Sequence, residues 1–355
     1  MRKKPTKSNF FIYYARPDEI YAIKQKTLFS NDMDKKIIKI RVPYKWIEGE
    51  GSSIVSLFYK TGEDIVCPHF WELKAWTGCP FDCSYCYLQG TFYGSERKKP
   101  RMKKEKDIVT YLKEFLTWAD NNGLITLLNT GEVADSLGVP DYVERFLKLA
   151  LPILQEHPKH KILFLTKGGT HHIRVLEKIP KEFRDRFIVS FSLNPEPVFN
   201  KFEKGTAHPR DRIEAAKKAQ EMGFEVRIRI DPMIPVEGWV LYYGELIREM
   251  LENVRPSRIT LGTLRALAKT RMFAKDKSWL RYVSEGSPWG LRIEKNLRIR
   301  MYELAIEILR ELGFQGDIAL CKETLPVWKA LSYKGLIYYP GEKGIWENVM
   351  CNCKL

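Results

Sequence analysis

Cys79, Cys83 and Cys86 stand in Cys-x3-Cys-x2-Cys spacing within Cys79-Pro80-Phe81-Asp82-Cys83-Ser84-Tyr85-Cys86. Three thiolates on so tight a loop suit a [4Fe–4S] cluster, in which one of the four irons is then left without a protein ligand. An open iron binds a substrate or cofactor, so the loop predicts a reactive cluster rather than a plain electron carrier. A zinc loop is the competing reading, but zinc sites pair Cys-x2-Cys with a second ligand pair, and none lies nearby in the sequence. A second set follows far downstream. Cys321, Cys351 and Cys353 read Cys-x29-Cys-x-Cys. They suit a second [4Fe–4S] cluster with an open iron, zinc with Glu323 as fourth ligand, or free thiols on a frayed tail. Cys67 reads as a small buried hydrophobe or as a thiol facing the site.

Elements of alternating type must position these loops. Strand candidates are Trp71–Trp76, Leu124–Asn129, Lys161–Thr166, Phe187–Leu193, Phe224–Ile230 and Arg258–Leu264. Helical candidates are Asp107–Asn121, Asp141–Gln155, His172–Lys178, Asp211–Met222, Tyr242–Glu252 and Leu297–Leu312. Strands alternating with helices imply a parallel sheet covered by helices, and right-handed crossovers curl it. The fold class expected is α/β, a partial (β/α)6 TIM-like barrel with an N-terminal extension and a cysteine-containing C-terminal tail. In such barrels chemistry gathers at the C-terminal strand ends, and the cysteine loop follows the first strand. Expected boundaries are 1–69 for the extension, 70–313 for the barrel and 314–355 for the tail. Lys36–Val42 and Ile54–Tyr59 are strand candidates in the extension, Asp317–Leu320 and a helix at Val327–Leu331 candidates in the tail. Ser190, Ser192 and Asn194 alternate toward one face, as do Arg227 and Arg229, which point inward to an anion or outward under a helix.

With 355 residues the chain is long enough to bury a full core. No apolar run approaches the roughly 18 residues of a membrane span, and no signal peptide follows the basic start, so the expectation is cytoplasmic, without membrane contact. The net charge of +15 favours polyanionic partners. Part of it is the run Arg97-Lys98-Lys99-Pro100-Arg101-Met102-Lys103-Lys104, just after the cysteine loop.

The cysteine spacing, with Tyr85 just before the last thiol, resembles that of the radical S-adenosylmethionine (SAM) enzymes. The resemblance implies a cluster whose open iron chelates SAM and a 5′-deoxyadenosyl radical that abstracts hydrogen, with an external reductant such as ferredoxin or flavodoxin. By the same resemblance Gly131 and Glu132 meet the SAM ammonium; beside them Lys167, at the end of its strand, is a candidate partner for the SAM carboxylate, and the inward-facing Ser190 and Ser192 for contacts to the ribose or other parts of SAM. The stretch through Tyr87-Leu88-Gln89, then Phe202-Glu203-Lys204-Gly205-Thr206 and Glu237-Gly238-Trp239, is similar to the spore photoproduct lyase branch of that family, over roughly residues 70–264. This implies that Tyr85 lies near the SAM adenine and that Tyr87 relays hydrogen. That branch has a hydrogen-donating cysteine after its second strand, and Gly131-Glu132-Val133-Ala134-Asp135-Ser136-Leu137-Gly138 has none. The expectation is therefore a radical SAM enzyme acting on a nucleic-acid or nucleotide-like substrate, other than in spore-lesion repair. The alternatives are a small-molecule or peptide substrate, or a nucleic-acid-binding module with structural clusters.

Overall fold

A computed structural model describes residues 10–16, 19–24, 36–93, 99–341, 346 and 349–355. Arg97 and Lys98 of the basic run lie outside the described residues.

The strands β1 (Val55–Phe58), β2 (Phe70–Leu73), β3 (Leu127–Asn129), β4 (Lys161–Thr166), β5 (Phe187–Ser192), β6 (Glu225–Met233), β7 (Arg258–Thr263) and β8 (Asp317–Leu320) form one sheet in chain order. From β2 to β8 every pairing is parallel, and β1 runs antiparallel to β2. The edges β1 and β8 do not pair with each other among the described residues, so the curled sheet is an open half-barrel. The six expected strands are present, and Asp317–Leu320 adds another parallel one beside β7. The sheet thus extends past both expected boundaries, residues 69 and 313: β1 lies before the first and β8 after the second.

Helices cover the outer face. α1 (Glu105–Asn121) buries Ile108, Leu112, Phe115, Leu116 and Ala119, the spacing of one helical stripe. Phe115 meets Trp71 of β2 with ring centroids 4.6 Å apart, and truncating it to alanine would cost about 3–5 kcal/mol. α2 (Pro140–Glu156) begins on a proline, whose missing N–H is no loss at a helix start. α3 (Pro209–Glu221), α4 (Trp239–Asn253) and α5 (Lys295–Glu311) follow, and α6 (Leu325–Tyr333) comes after β8. The expected helix at His172–Lys178 is instead a short helix, Thr170–Ile173, running into a tighter turn, Arg174–Lys178. Lys36–Arg41 joins Phe10–Arg16 and Glu19–Lys24 in a separate antiparallel sheet. Sequence reading missed the helix Glu196–Phe202 and the small antiparallel sheet made by Arg265–Ala266, Glu285–Ser287 and Gly290–Arg292.

Candidate active site

The cysteine loop leaves the sheet just beyond β2. Gly78 enters it at φ 85°, a left-handed backbone that glycine adopts without a Cβ clash, and its N–H donates to Val133 O at 3.0 Å. Asp82–Cys83 then pairs antiparallel with Glu203–Lys204, and the Ser84 N–H donates to Phe202 O at 2.9 Å. Gln89 is buried behind the loop. Its Nε2 donates to Cys83 O at 3.0 Å and Ser84 O at 2.8 Å, while its Oε1 accepts from the Lys275 N–H at 3.2 Å. These hydrogen bonds hold the loop's backbone against the rest of the fold.

A cavity of about 300 Å³ opens at the C-terminal strand ends. Cys79, Cys83 and Cys86 line it, as do Tyr85 and Tyr87. So do Gly131 and Glu132 beyond β3, Lys167 beyond β4 and Ser192 at the end of β5. A Cβ on Gly131 would lie 2.5 Å from Leu165 Cβ, so this close approach needs glycine. Ser190, two residues deeper on β5, is not among the lining residues. Its Oγ accepts from Asn352 Nδ2 at 2.7 Å, which corrects the expectation that it faces the ribose.

Two charge clusters flank the cavity. The first centres on Glu203, whose carboxylate is wholly buried. It accepts from Tyr85 Oη, from Lys167 Nζ at 2.9 Å, Asn194 Nδ2 at 2.8 Å and Arg212 at 2.5 Å. Burial alone would raise its pKa, but Arg212 and Lys167 overcome this and hold it well below the usual carboxylate range. Lys167 also donates to Ser192 Oγ at 2.8 Å. Sequence reading noticed Glu203 only within the Phe-Glu-x-Gly-Thr stretch and gave it no role. In the second cluster Glu132 pairs with Lys322 at 2.5 Å. The Lys322 ammonium lies 4.2 Å from the Phe58 ring centroid and 5.2 Å from that of Trp289. Tyr87 Oη donates to the backbone carbonyl of Glu132.

Arg227 and Arg229 both point into the barrel. Arg227 donates to the carbonyls of Asn352 and Lys354 at 2.8 and 2.5 Å. Arg258, at the start of β7, donates to Cys351 O and Lys354 O at 2.8 and 2.7 Å. Asn352 fills the lumen. Besides Ser190 it donates to Ile228 O, and it both accepts from and donates to Thr260 Oγ1. Residues 351–355 thus plug the barrel from its N-terminal side. The plug carries Cys353 to Asn129, whose Nδ2 donates to its Sγ at 3.5 Å. Arg229 donates to Cys321 Sγ at 3.1 Å. Burial opposes the Arg229 charge, and Cys321, Cys353 and Asp231 together hold it. Cys321 also lines the cavity.

The donor sets can be judged against a cluster. The three loop cysteines line one cavity, and three thiols leave one corner of a cube unserved. Burial pushes the Cys79 and Cys83 thiols up, so metal ligation must displace their protons. Among the described residues no group of three His, Cys, Asp or Glu is close enough to share a single ion. Glu323 is not free to join Cys321: it accepts from Tyr302 at 2.8 Å and pairs with Arg298 at 3.4 Å and Arg292 at 3.5 Å.

A curled, mostly parallel sheet carrying a three-cysteine loop after its first parallel strand is the radical SAM arrangement. Residues 71–276 match the family model for spore photoproduct lyase, more than half of the chain, and the chain belongs to that family. It is 30% identical over 188 residues to the spore photoproduct lyase of a Geobacillus species, covering 52% of each chain. It is 30% identical over 175 residues to that of Bacillus subtilis, covering 49% of this chain and 48% of the relative. The chain thus spans about half the length of these curated relatives. Among solved structures, spore photoproduct lyase complexed with dinucleoside spore photoproduct matches with a TM-score of 0.59 at 20% identity, over 70% of this chain and 75% of the other. A mutant of that enzyme with bound AdoMet and the same dinucleoside matches at 0.58 and 20%, over 72% and 76%. These likenesses bear on the fold. No described helix is long and apolar enough to cross a membrane.

Proposed function

We propose that this chain is a radical SAM enzyme that abstracts hydrogen from a nucleic-acid or nucleotide-like substrate. The observation that carries this is one cavity lined by Cys79, Cys83 and Cys86 together with Glu132, Lys167 and Ser192, at the C-terminal strand ends. The cluster and SAM, when bound, supply a 5′-deoxyadenosyl radical once one electron arrives from a reductant of the ferredoxin or flavodoxin kind.

The chain's own residues bind and orient. Cys79, Cys83 and Cys86 hold the cluster. Glu132 receives the SAM ammonium, exchanging its pairing with Lys322 for the incoming cation. Lys167, kept in place by Glu203 and Ser192, offers its ammonium to the carboxylate, and Gly131 admits SAM close to the backbone. Tyr85, anchored through its hydroxyl to Glu203, presents its ring to the adenine. Tyr87, whose hydroxyl donates to the carbonyl of Glu132, relays hydrogen. The segment 131–138 carries no thiol, which supports a reaction other than spore-lesion repair. Cys321, Cys351 and Cys353 hold a second [4Fe–4S] cluster.

The substrate class rests on charge. Arg101–Met102 pairs with Trp76–Thr77, and the Lys103 N–H donates to Ala75 O at 2.9 Å, which ties the basic segment to the entrance of the cysteine loop. A gel shift with DNA and RNA tests this: binding should fall steeply with salt. No shift even at low salt would favour a small-molecule or peptide substrate. Comparing modified nucleosides in cells with and without the gene would then identify the product.

A further inference from the structure

The loop uses three of the seven cysteines, and the other four are Cys67, Cys321, Cys351 and Cys353. We propose that Cys67 joins Cys321, Cys351 and Cys353 as the fourth thiolate of a fully ligated [4Fe–4S] cluster beneath the cavity, which Cys321 lines. This rests on the reading of the other three as cluster ligands.

Three separate segments deliver the thiols. Ile65–Val66 pairs antiparallel with Glu323–Thr324, Val66 facing Glu323. Continued by one residue, that register sets Cys67 opposite Lys322, the neighbour of Cys321. Cys321 is held at the end of β8, where its N–H donates to Leu261 O at 2.6 Å. Cys351 and Cys353 flank Asn352, whose bonds to Ser190, Ile228 and Thr260 fix the plug's height in the barrel. All four are buried. Cys67 has one weak partner, donating to Pro68 O at 3.6 Å, so its thiol is available to turn toward a metal. Thr260, which holds Asn352, directly precedes Leu261, whose carbonyl holds the Cys321 N–H, so the plug and Cys321 attach to adjacent residues of β7.

The surroundings suit an anionic group. Arg229 contacts Cys321, and its Nε is buried without a hydrogen-bond partner among the described residues. Arg265 donates to Cys321 O at 2.7 Å, and Arg258 to Cys351 O. These cations offset the charge of four thiolates and reduce the cost of burying them. On ligation each thiol exchanges its S–H bond for an S–Fe bond and releases a proton to solvent. With every iron served, the second cluster has no corner for SAM or substrate. The chain then carries one open cluster site and one closed site, facing the same cavity through Cys83 and Cys321.

The test isolates the second site in the full chain carrying Cys79→Ala, Cys83→Ala and Cys86→Ala. After anaerobic reconstitution this variant should hold about four irons per chain, with a reduced electron paramagnetic resonance signal that added SAM leaves unchanged. Adding Cys67→Ala should make one iron labile, so that mild oxidation leaves a three-iron cluster and removes one iron in four. Should Cys67→Ala not fold, the near-isosteric Cys67→Ser preserves the packing and should show the same loss or a Mössbauer spectrum altered at one iron. Four irons with unaltered spectra in the Cys67 variant would overturn the assignment of Cys67 while leaving three ligands standing. No iron in the loop variant would overturn the second cluster itself.

Discussion

Replacing Glu203 by glutamine tests the hub that ties the cysteine loop, through Tyr85, to Lys167 on the cavity wall. The Glu203 carboxylate is the counter-ion of Arg212, and neither side chain has any exposed surface. It is also the shared acceptor of Tyr85, Lys167 and Asn194. Glutamine removes the charge and turns an amide donor toward groups that are themselves donors. Breaking a buried pair by removing one partner costs about 3–5 kcal/mol, because the remaining guanidinium stays buried without its anion. At about 2 °C per kcal/mol for a large domain, the melting temperature should fall by roughly 6–10 °C. Urea denaturation followed by tryptophan fluorescence reads the same loss as a lower midpoint at unchanged slope. An Arg212→Gln variant should cost a similar amount, and the double variant clearly less than the sum of the two. The pH dependence has a definite sign. The folded carboxyl lies below its ordinary range, so its contribution is fully present above about pH 5 and fades only as acid approaches the folded value. The gap between wild type and Glu203→Gln should therefore be flat across about pH 5–8. An unfolding free energy within about 0.5 kcal/mol of wild type, the size of an ordinary surface substitution, would refute the reasoning.

Glu132→Gln should weaken SAM binding by about 1.5–3 kcal/mol, the worth of a hydrogen bond to a charged group, whereas Lys322→Met, which removes the competing ammonium, should tighten it; titration calorimetry on the reconstituted protein reads both signs. Gln89→Ala strips three hydrogen bonds from behind the loop and should cost about 1–3 kcal/mol, visible as a lower denaturation midpoint and faster iron loss to a chelator. Asn352→Ala removes the side-chain bonds to Ser190, Thr260 and Ile228 O while the backbone N–H bond to Thr260 remains; thiol-labelling rates at Cys351 and Cys353 in metal-free protein should rise, and unchanged rates would mean the plug is held by its backbone bonds to Thr260, Arg227 and Arg258.

What the sequence revealed follows from how local each feature is. The cysteine loop lies within a few residues, and its spacing is visible without knowing the fold. The strands from Trp71 to Leu264 are apolar runs between amphipathic helices, so their parallel order was readable. β8 was recognisable as a strand but not as part of the sheet, because only its ladder with β7 places it there. Ser192 and Ser190 alternate correctly toward the barrel, yet sequence period alone cannot say that Ser190 is taken by Asn352. The tail has no periodicity at all. Its place comes from carbonyls caught by Arg227 and Arg258, residues some 90 to 130 positions away. Distance along the chain also hid the strand pairing that brings Val66, next to Cys67, opposite Glu323. Glu203 was hidden for a different reason: a glutamate in a polar stretch reads as solvated until its partners Arg212, Lys167 and Tyr85 are known.

The central claim is that the loop thiols build a SAM-cleaving site. The most direct measurement is 5′-deoxyadenosine formed from SAM by anaerobically reconstituted protein under a strong reductant, with wild type and Cys83→Ala side by side. The account predicts steady formation by wild type and background in Cys83→Ala. Equal rates in the two, or no cleavage by a wild-type protein that has taken up its iron, would contradict it.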